Sequence, residues 1–185
     1  MGVFDSVKAT REEHRSSRAG DAIVAEPNVV MDRAFTVPAA PEQVWPWLVQ
    51  LGKKRAGWYL PASIERLLPP SRRALRRIDL AWQHLAEGDV IPDYGGRHAT
   101  FQVAELDPGR TIVYTSCRGQ IQLTWSIVLR PMMADAQHCR VLLRLRMAQV
   151  RHRRLATTLG ELLDALTIAG LAAGLRERVG GTSPG

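Results

Sequence analysis

A chain of 185 residues, 45% hydrophobic and 23% charged, suits one domain that buries roughly 70% of its unfolded surface and needs neither a metal nor a disulfide to hold it. Cys117 and Cys139 lack CxxC spacing and follow no secretory segment, so free thiols and a cytoplasmic setting are expected. The net charge of +7 comes mostly from arginines spread along the chain and from no recognised RNA or DNA module, and the weakly polar run 157–175 carries Glu161 and Asp164, so neither specific nucleic-acid binding nor a membrane span is expected.

Residues 1–27 are polar and charged, with Arg11, Glu12, Glu13, His14, Arg15 and Arg18, and read as an arm that lies on the domain or is loosely ordered. Residues 28–180 are expected to form a single domain, with 181–185 as a tail. In 29–37, Val29, Met31, Arg33, Phe35 and Val37 alternate with Val30, Asp32, Ala34 and Thr36, which is the period of a strand. If the Phe35 face turns inward, Arg33 turns inward with it. A buried guanidinium is costly unless paired, so Arg33 is expected to meet Glu65, Asp89 or an anion supplied by a ligand, unless it reaches solvent from the strand's end.

Two short helices follow. Pro41 suits a first helical turn, and Val44, Trp45, Leu48, Val49 and Leu51 recur at helical spacing up to the glycine stop at Gly52. Lys53, Lys54 and Arg55 then place positive charge at the helix C-terminus, where the dipole favours it. Ala56-Gly57 reads as a turn, and Ile64, Leu67 and Leu68 mark a second helix between Pro61 and Pro69-Pro70. Residues 69–87 form a basic connector whose helical pattern is only partial, and no element is assigned to it.

From Gly88 the pattern is an antiparallel meander, with strands at 89–92, 100–106, 111–117, 121–130 and one carrying Val141, Leu143, Leu145 and Met147. Ile121, Leu123, Trp125, Ile127 and Leu129 alternate with Gln122, Thr124 and Ser126, which predicts one buried face and one wet face. Arg140, Arg144 and Arg146 fall on the outer face of the last strand and join Arg151, Arg153 and Arg154 in a basic cluster. That cluster reads as a solvated sheet face in preference to a weak contact with an anionic surface.

Residues 154–179 predict one long helix whose stripe of Leu155, Leu159, Leu162, Leu163, Leu166, Ala169 and Ala173 needs a sheet to lie on. A second apolar face, Ile168, Leu171, Leu175 and Val179, is either packed by the arm or used to form a homo-oligomer. Gly160, Gly170 and Gly174 each weaken a helix by about 1 kcal/mol relative to alanine, which suggests close approach of a backbone or a ligand.

Catalytic signatures are lacking. There is no GxSxG, HExxH, phosphate loop or dinucleotide fingerprint, and the histidines at 14, 84, 98, 138 and 152 lack metal-ligand spacing, so no metal or cofactor is expected and no catalytic residue is named. His98, beside Arg97 near a hairpin, is the best acid–base candidate, and Ser116-Cys117 reads as a structural pair.

The order of elements joins several short matches. These are Met31-Asp32-Arg33, the PEQVWPWLVQ stretch of Pro41–Gln50, Leu51-Gly52, Gly57-Trp58-Tyr59, Glu65-Arg66, His84-Leu85 with Gly88-Asp89, and Thr124-Trp125-Ser126. Together they resemble the START-like superfamily, specifically the bacterial SRPBCC group related to polyketide cyclase/dehydrase and lipid-transport proteins. The resemblance implies an α+β helix-grip fold, a curved antiparallel sheet wrapped around the long C-terminal helix, with an apolar cavity whose mouth is bordered by the two short helices. Inner-face residues would then be Phe35, Trp58, Tyr59, Phe101, Tyr114, Trp125, Leu143, Leu163 and Leu166, with Arg33 and His98 as polar candidates. The implied function is binding or carriage of a small hydrophobic or amphipathic ligand. The alternatives are a cyclase/dehydratase-type enzyme acting on a polyketide-like substrate, or an interaction subunit with a filled cavity.

Overall fold

The alternation of residues 29–37 produces strand β1 (Val29–Val37), and the turn-punctuated stretch after Gly88 produces β2 (Val90–Pro92), β3 (Thr100–Asp107), β4 (Thr111–Arg118), β5 (Ile121–Met132) and β6 (Asp135–Ala148). They make one antiparallel sheet in the order β1-β6-β5-β4-β3-β2. The computed structural model describes residues 5–133, 135–151 and 153–181. His152, the tail from 182 on, and the side chains of Arg153, Arg154, Leu155 and Leu159 lie outside the described residues.

Register fixes which side chains share the inner face: Phe35 lies opposite Val141, Tyr114 opposite Trp125, and Trp125 in turn opposite Leu145. Helix α1 (Arg11–Arg15) belongs to the arm, while α2 (Pro41–Gln50) and α3 (Ala62–Glu65) interrupt the chain between β1 and β2. Pro41 occupies the first turn of α2, as expected, and the helix buries Val44, Trp47, Leu48 and Val49 in the core. Helix α4 (Arg153–Gly180) closes the inner face of the sheet. Among the described residues no helix is long and apolar enough to cross a membrane.

The connector 69–87 contains only two 3-10 turns, Pro70–Arg72 and Leu80–Trp82. Hydrogen bonds substitute for regular structure there. Gln50 is fully buried, donating from Nε2 to Arg77 O (3.1 Å) and accepting through Oε1 from Asp79 N (3.0 Å), while Leu75 N donates to Ala56 O (2.8 Å). Each of these satisfies a backbone group that an irregular segment would otherwise bury unpaired.

Three expectations require correction. The outer sheet face is wet only in part: Gln122 is exposed, but Thr124 and Ser126 are only 2% and 3% exposed. The arm covers part of that face, with Gly20 packed so closely on Val113 that a Cβ would lie 2.5 Å from its Cγ1. Nor are Arg140, Arg144 and Arg146 solvated, although Arg151 of the same cluster is exposed. Arg144 donates to Asp32 (2.7 Å) and Asp21 (2.9 Å), Arg140 to Glu13 (2.8 Å) and Arg146 to Val24 O (3.0 Å), so acids and carbonyls of the arm and of β1 take up their charge. Asp32 is the hub, since Arg18 and His14 also approach it at 3.3 and 3.0 Å. Buried charges survive only in this paired, hydrogen-bonded form.

The third correction concerns the rotation of α4. Leu162, Leu163 and Leu166 are 45%, 57% and 47% exposed, whereas Ala165, Ile168, Ala169, Leu171, Ala172, Leu175 and Val179 are buried. The supposed second face therefore packs in the core, in one cluster with Val7 of the arm, and is closed to self-association. Close approach decides this rotation. A Cβ on Gly174 would sit 2.6 Å from Leu60 N and one on Gly170 2.8 Å from Leu60 Cδ2, so the segment after α2 crosses the helix where it has no side chains. Buried Arg178 fastens the crossing by donating to Leu60 O (3.1 Å), Leu75 O (2.8 Å) and Glu65 (2.5 Å).

Candidate functional site: an aromatic-walled cavity under α4

The leucines that leave the sheet also leave space beneath the middle of α4. A cavity of about 420 Å³ lies there, between Leu123 and Trp125 of β5, Leu145 and Met147 of β6, and Asp164, Thr167 and Ile168 of α4. Phe101, Trp58, Arg118, Asp93 and Tyr94 complete its lining. Its size falls within the range of small-molecule pockets.

One wall is a packed group of rings. Trp125 stacks on Tyr114 with centroids 5.6 Å apart and meets Phe101 at 5.9 Å and Trp58 at 6.0 Å. Such offset and tilted contacts hold rings rigidly and keep their faces apolar. Tyr114 sits deeper, at a narrow recess of about 40 Å³ shared with Trp58, Phe101 and Trp125, where burial pushes its phenol pKa well up and keeps it neutral. The Trp58 indole N–H is buried without a hydrogen-bond acceptor.

Charge enters the lining at two places. Arg118 pairs with Asp93 and lies over the Phe101 ring at 5.6 Å. At the other, the Asp164 carboxylate lies 2.9 Å from Arg33 Nε, off the line of a good hydrogen bond, so the attraction is mostly charge on charge. Arg33 also donates to Glu161 O (2.9 Å) and Asp32 O (3.1 Å). Burial raises the Asp164 pKa above the usual aspartate value, against the lowering effect of the Arg33 charge.

Of the residues named from sequence, Trp58, Phe101 and Trp125 line the cavity and Tyr114 lines its recess. Arg33 points inward as its parity required, but its acid is Asp164 in place of Glu65 or Asp89, and it lines a separate pocket beside Val7 and Lys8 and not the cavity. Phe35, Tyr59 and Leu143 are core residues away from the cavity lining. Phe35 packs under Arg176, and the Tyr59 hydroxyl donates to Trp47 O (2.8 Å) and accepts from Gln50 Nε2 (3.1 Å). Leu163 and Leu166 face solvent, and His98 is exposed in the loop between β2 and β3. Sequence reasoning missed Leu145 and Met147, although they share the parity of Leu143, and Asp164, an acid inside an apolar helix stripe. Among the described residues no group of three or more His, Cys, Asp or Glu side chains could hold a metal ion.

No protein-family model matches the chain, and no curated protein sequence matches it. Solved structures do share its fold. A protein of Rhodobacter sphaeroides, 13% identical, superposes with a TM-score of 0.52 over 84% of this chain and 95% of its own. A protein of Thermobifida fusca, 21% identical, does so with a TM-score of 0.51 over 82% and 93%. At these identities the likeness is one of fold. The chain has the α+β helix-grip fold that its resemblance to the START-like superfamily implied.

Proposed function

We propose that the chain binds a small hydrophobic or amphipathic molecule in the cavity under α4. The carrying observation is the lining itself: rigid aromatic rings and the side chains of Leu123, Leu145, Met147 and Ile168 around about 420 Å³, with charge confined to the Asp93–Arg118 pair and to Asp164, which Arg33 meets from outside the lining. Transfer of apolar surface from water into such a space is worth about 25 cal/mol per Å², so even a plain alkyl chain gains by entering. An environment-sensitive apolar dye such as N-phenyl-1-naphthylamine tests the reading. The protein should bind it saturably, and Met147→Trp, which fills the space, should weaken binding by roughly tenfold or more while unfolding stays cooperative. Dye affinity unchanged by filling would place the dye elsewhere and sink the proposal.

Asp164 favours a second reading, proton transfer on a polyketide-like substrate, since a carboxyl with a raised pKa lies in the cavity wall. Its side chain is committed to Arg33, which supports the binding reading first.

A further inference from the structure

A groove of about 580 Å³ lies beside the cavity, between the segment that follows α2 and the start of the connector. Its lining includes five cationic side chains, Lys53, Lys54, Arg55, Arg72 and Arg73, and no acid among the described residues. This contrasts with the outer sheet face, where the arm brings an acid to nearly every arginine. Lys54 and Arg72 are exposed, and their side chains make no hydrogen bond or ion pair in the described structure. Arg55 donates to Val49 O (3.1 Å) and Trp82 O (2.9 Å), yet its Nε is buried without an acceptor. Like charges gathered in a concavity with low-dielectric walls focus a positive potential there, and an anion is what relieves it.

Cavity and groove share part of their lining. Trp58 and Tyr94 line both, and Lys53 ties them together by donating to Asp93 O (2.8 Å) from a position 5.9 Å above the Tyr94 ring. A molecule that fills the cavity and passes these two rings brings its far end among the cations. Lys54 and Arg72 carry exposed donors on this lining, so an end group rich in acceptor oxygens suits them.

We propose that the ligand is an anionic amphiphile whose apolar body occupies the cavity and whose phosphate-type head group lies in the groove of Lys53, Lys54, Arg55, Arg72 and Arg73. This rests on the cavity-binding reading for the apolar body and adds the class of head group. Arginine forks and lysine ammonium groups together match a group with several acceptor oxygens.

The test displaces the dye with decyl phosphate or with decanol, and measures inorganic phosphate alone by calorimetry. Decyl phosphate should displace the dye at a concentration roughly tenfold or more below that of decanol, the worth of hydrogen bonds to a charged group. That advantage should shrink to within about twofold in about 1 M salt, where the Debye length is near 3 Å. The double variant Lys54→Gln/Arg72→Gln should lose most of the advantage yet bind the dye and decanol as the parent does, since neither side chain supports the fold. Equal potency of the two alkyl compounds in the parent overturns the head-group assignment while leaving cavity binding intact. Inorganic phosphate bound as tightly as decyl phosphate makes the groove a separate anion site and overturns the proposal. Failure of the dye itself to bind removes the cavity reading and this inference together.

Discussion

Asp164 brings charge into the cavity wall, and Arg33 holds it from outside the lining. Each is a charge carried into the inner layer, one by strand parity and the other by helix rotation, and each is tolerable there because of the other. Asp164→Ala should therefore cost about 2–4 kcal/mol in urea unfolding, mostly from stranding the guanidinium. Replacing both, as Arg33→Met with Asp164→Leu, should restore stability to within about 1 kcal/mol of the parent, because an apolar pair of similar volume carries no desolvation penalty. A double variant as unstable as the single one would mean that Arg33 is held by Glu161 O and Asp32 O and does not depend on its acid. The inward turn of Arg33 was legible, since period-two alternation leaves a side chain only two directions. Its partner was not, because the pair joins residues far apart in sequence and depends on how α4 is rotated.

At the scale of elements, most strands could be read almost to the residue: β1 is Val29–Val37 as the alternation required, and β3, β4 and β5 extend their predicted segments by one or two residues, whereas β6 begins at Asp135, well before the alternation at Val141 that revealed it. Helix α4 was located but misoriented. Its leucines outweigh its small residues in any count of hydrophobicity, yet Gly170, Gly174 and the buried alanines are what allow the Leu60 segment to cross in contact. Gly174→Ala should accordingly lower stability by about 1–3 kcal/mol, the cost of forcing a methyl against backbone exceeding the roughly 1 kcal/mol gained in helix propensity. Gly160→Ala meets only the flexible tip of Met31, at 3.0 Å, and should be neutral or stabilising by up to about 1 kcal/mol. The reverse order of the two variants in thermal unfolding would contradict the crossing as the determinant of rotation. The arm was left open between lying on the domain and loose order, because an isolated polar segment carries no sign of the partners that Asp32, Arg140, Arg144 and Arg146 supply across the sheet.

On the scale of the whole molecule, sheet, gripping helix and crossing segment leave one aromatic wall facing space in place of packed side chains. The sheet's inner face was legible as a set of parities, which located Trp125, Phe101 and Tyr114. Whether they surround a void depends on the rotation of α4, and this is why Leu163 and Leu166 were assigned to a wall that Asp164, Thr167 and Ile168 provide. Methyl NMR during titration with decanol reports directly whether an apolar molecule enters this space. At saturation with one equivalent, the methyl signals of Leu123, Leu145, Met147 and Ile168 should shift while those of Leu129 and Leu143, deep in the core, stay in place. Shifts confined to the exposed Leu162, Leu163 and Leu166, or no shifts at all, would mean that the cavity stays empty.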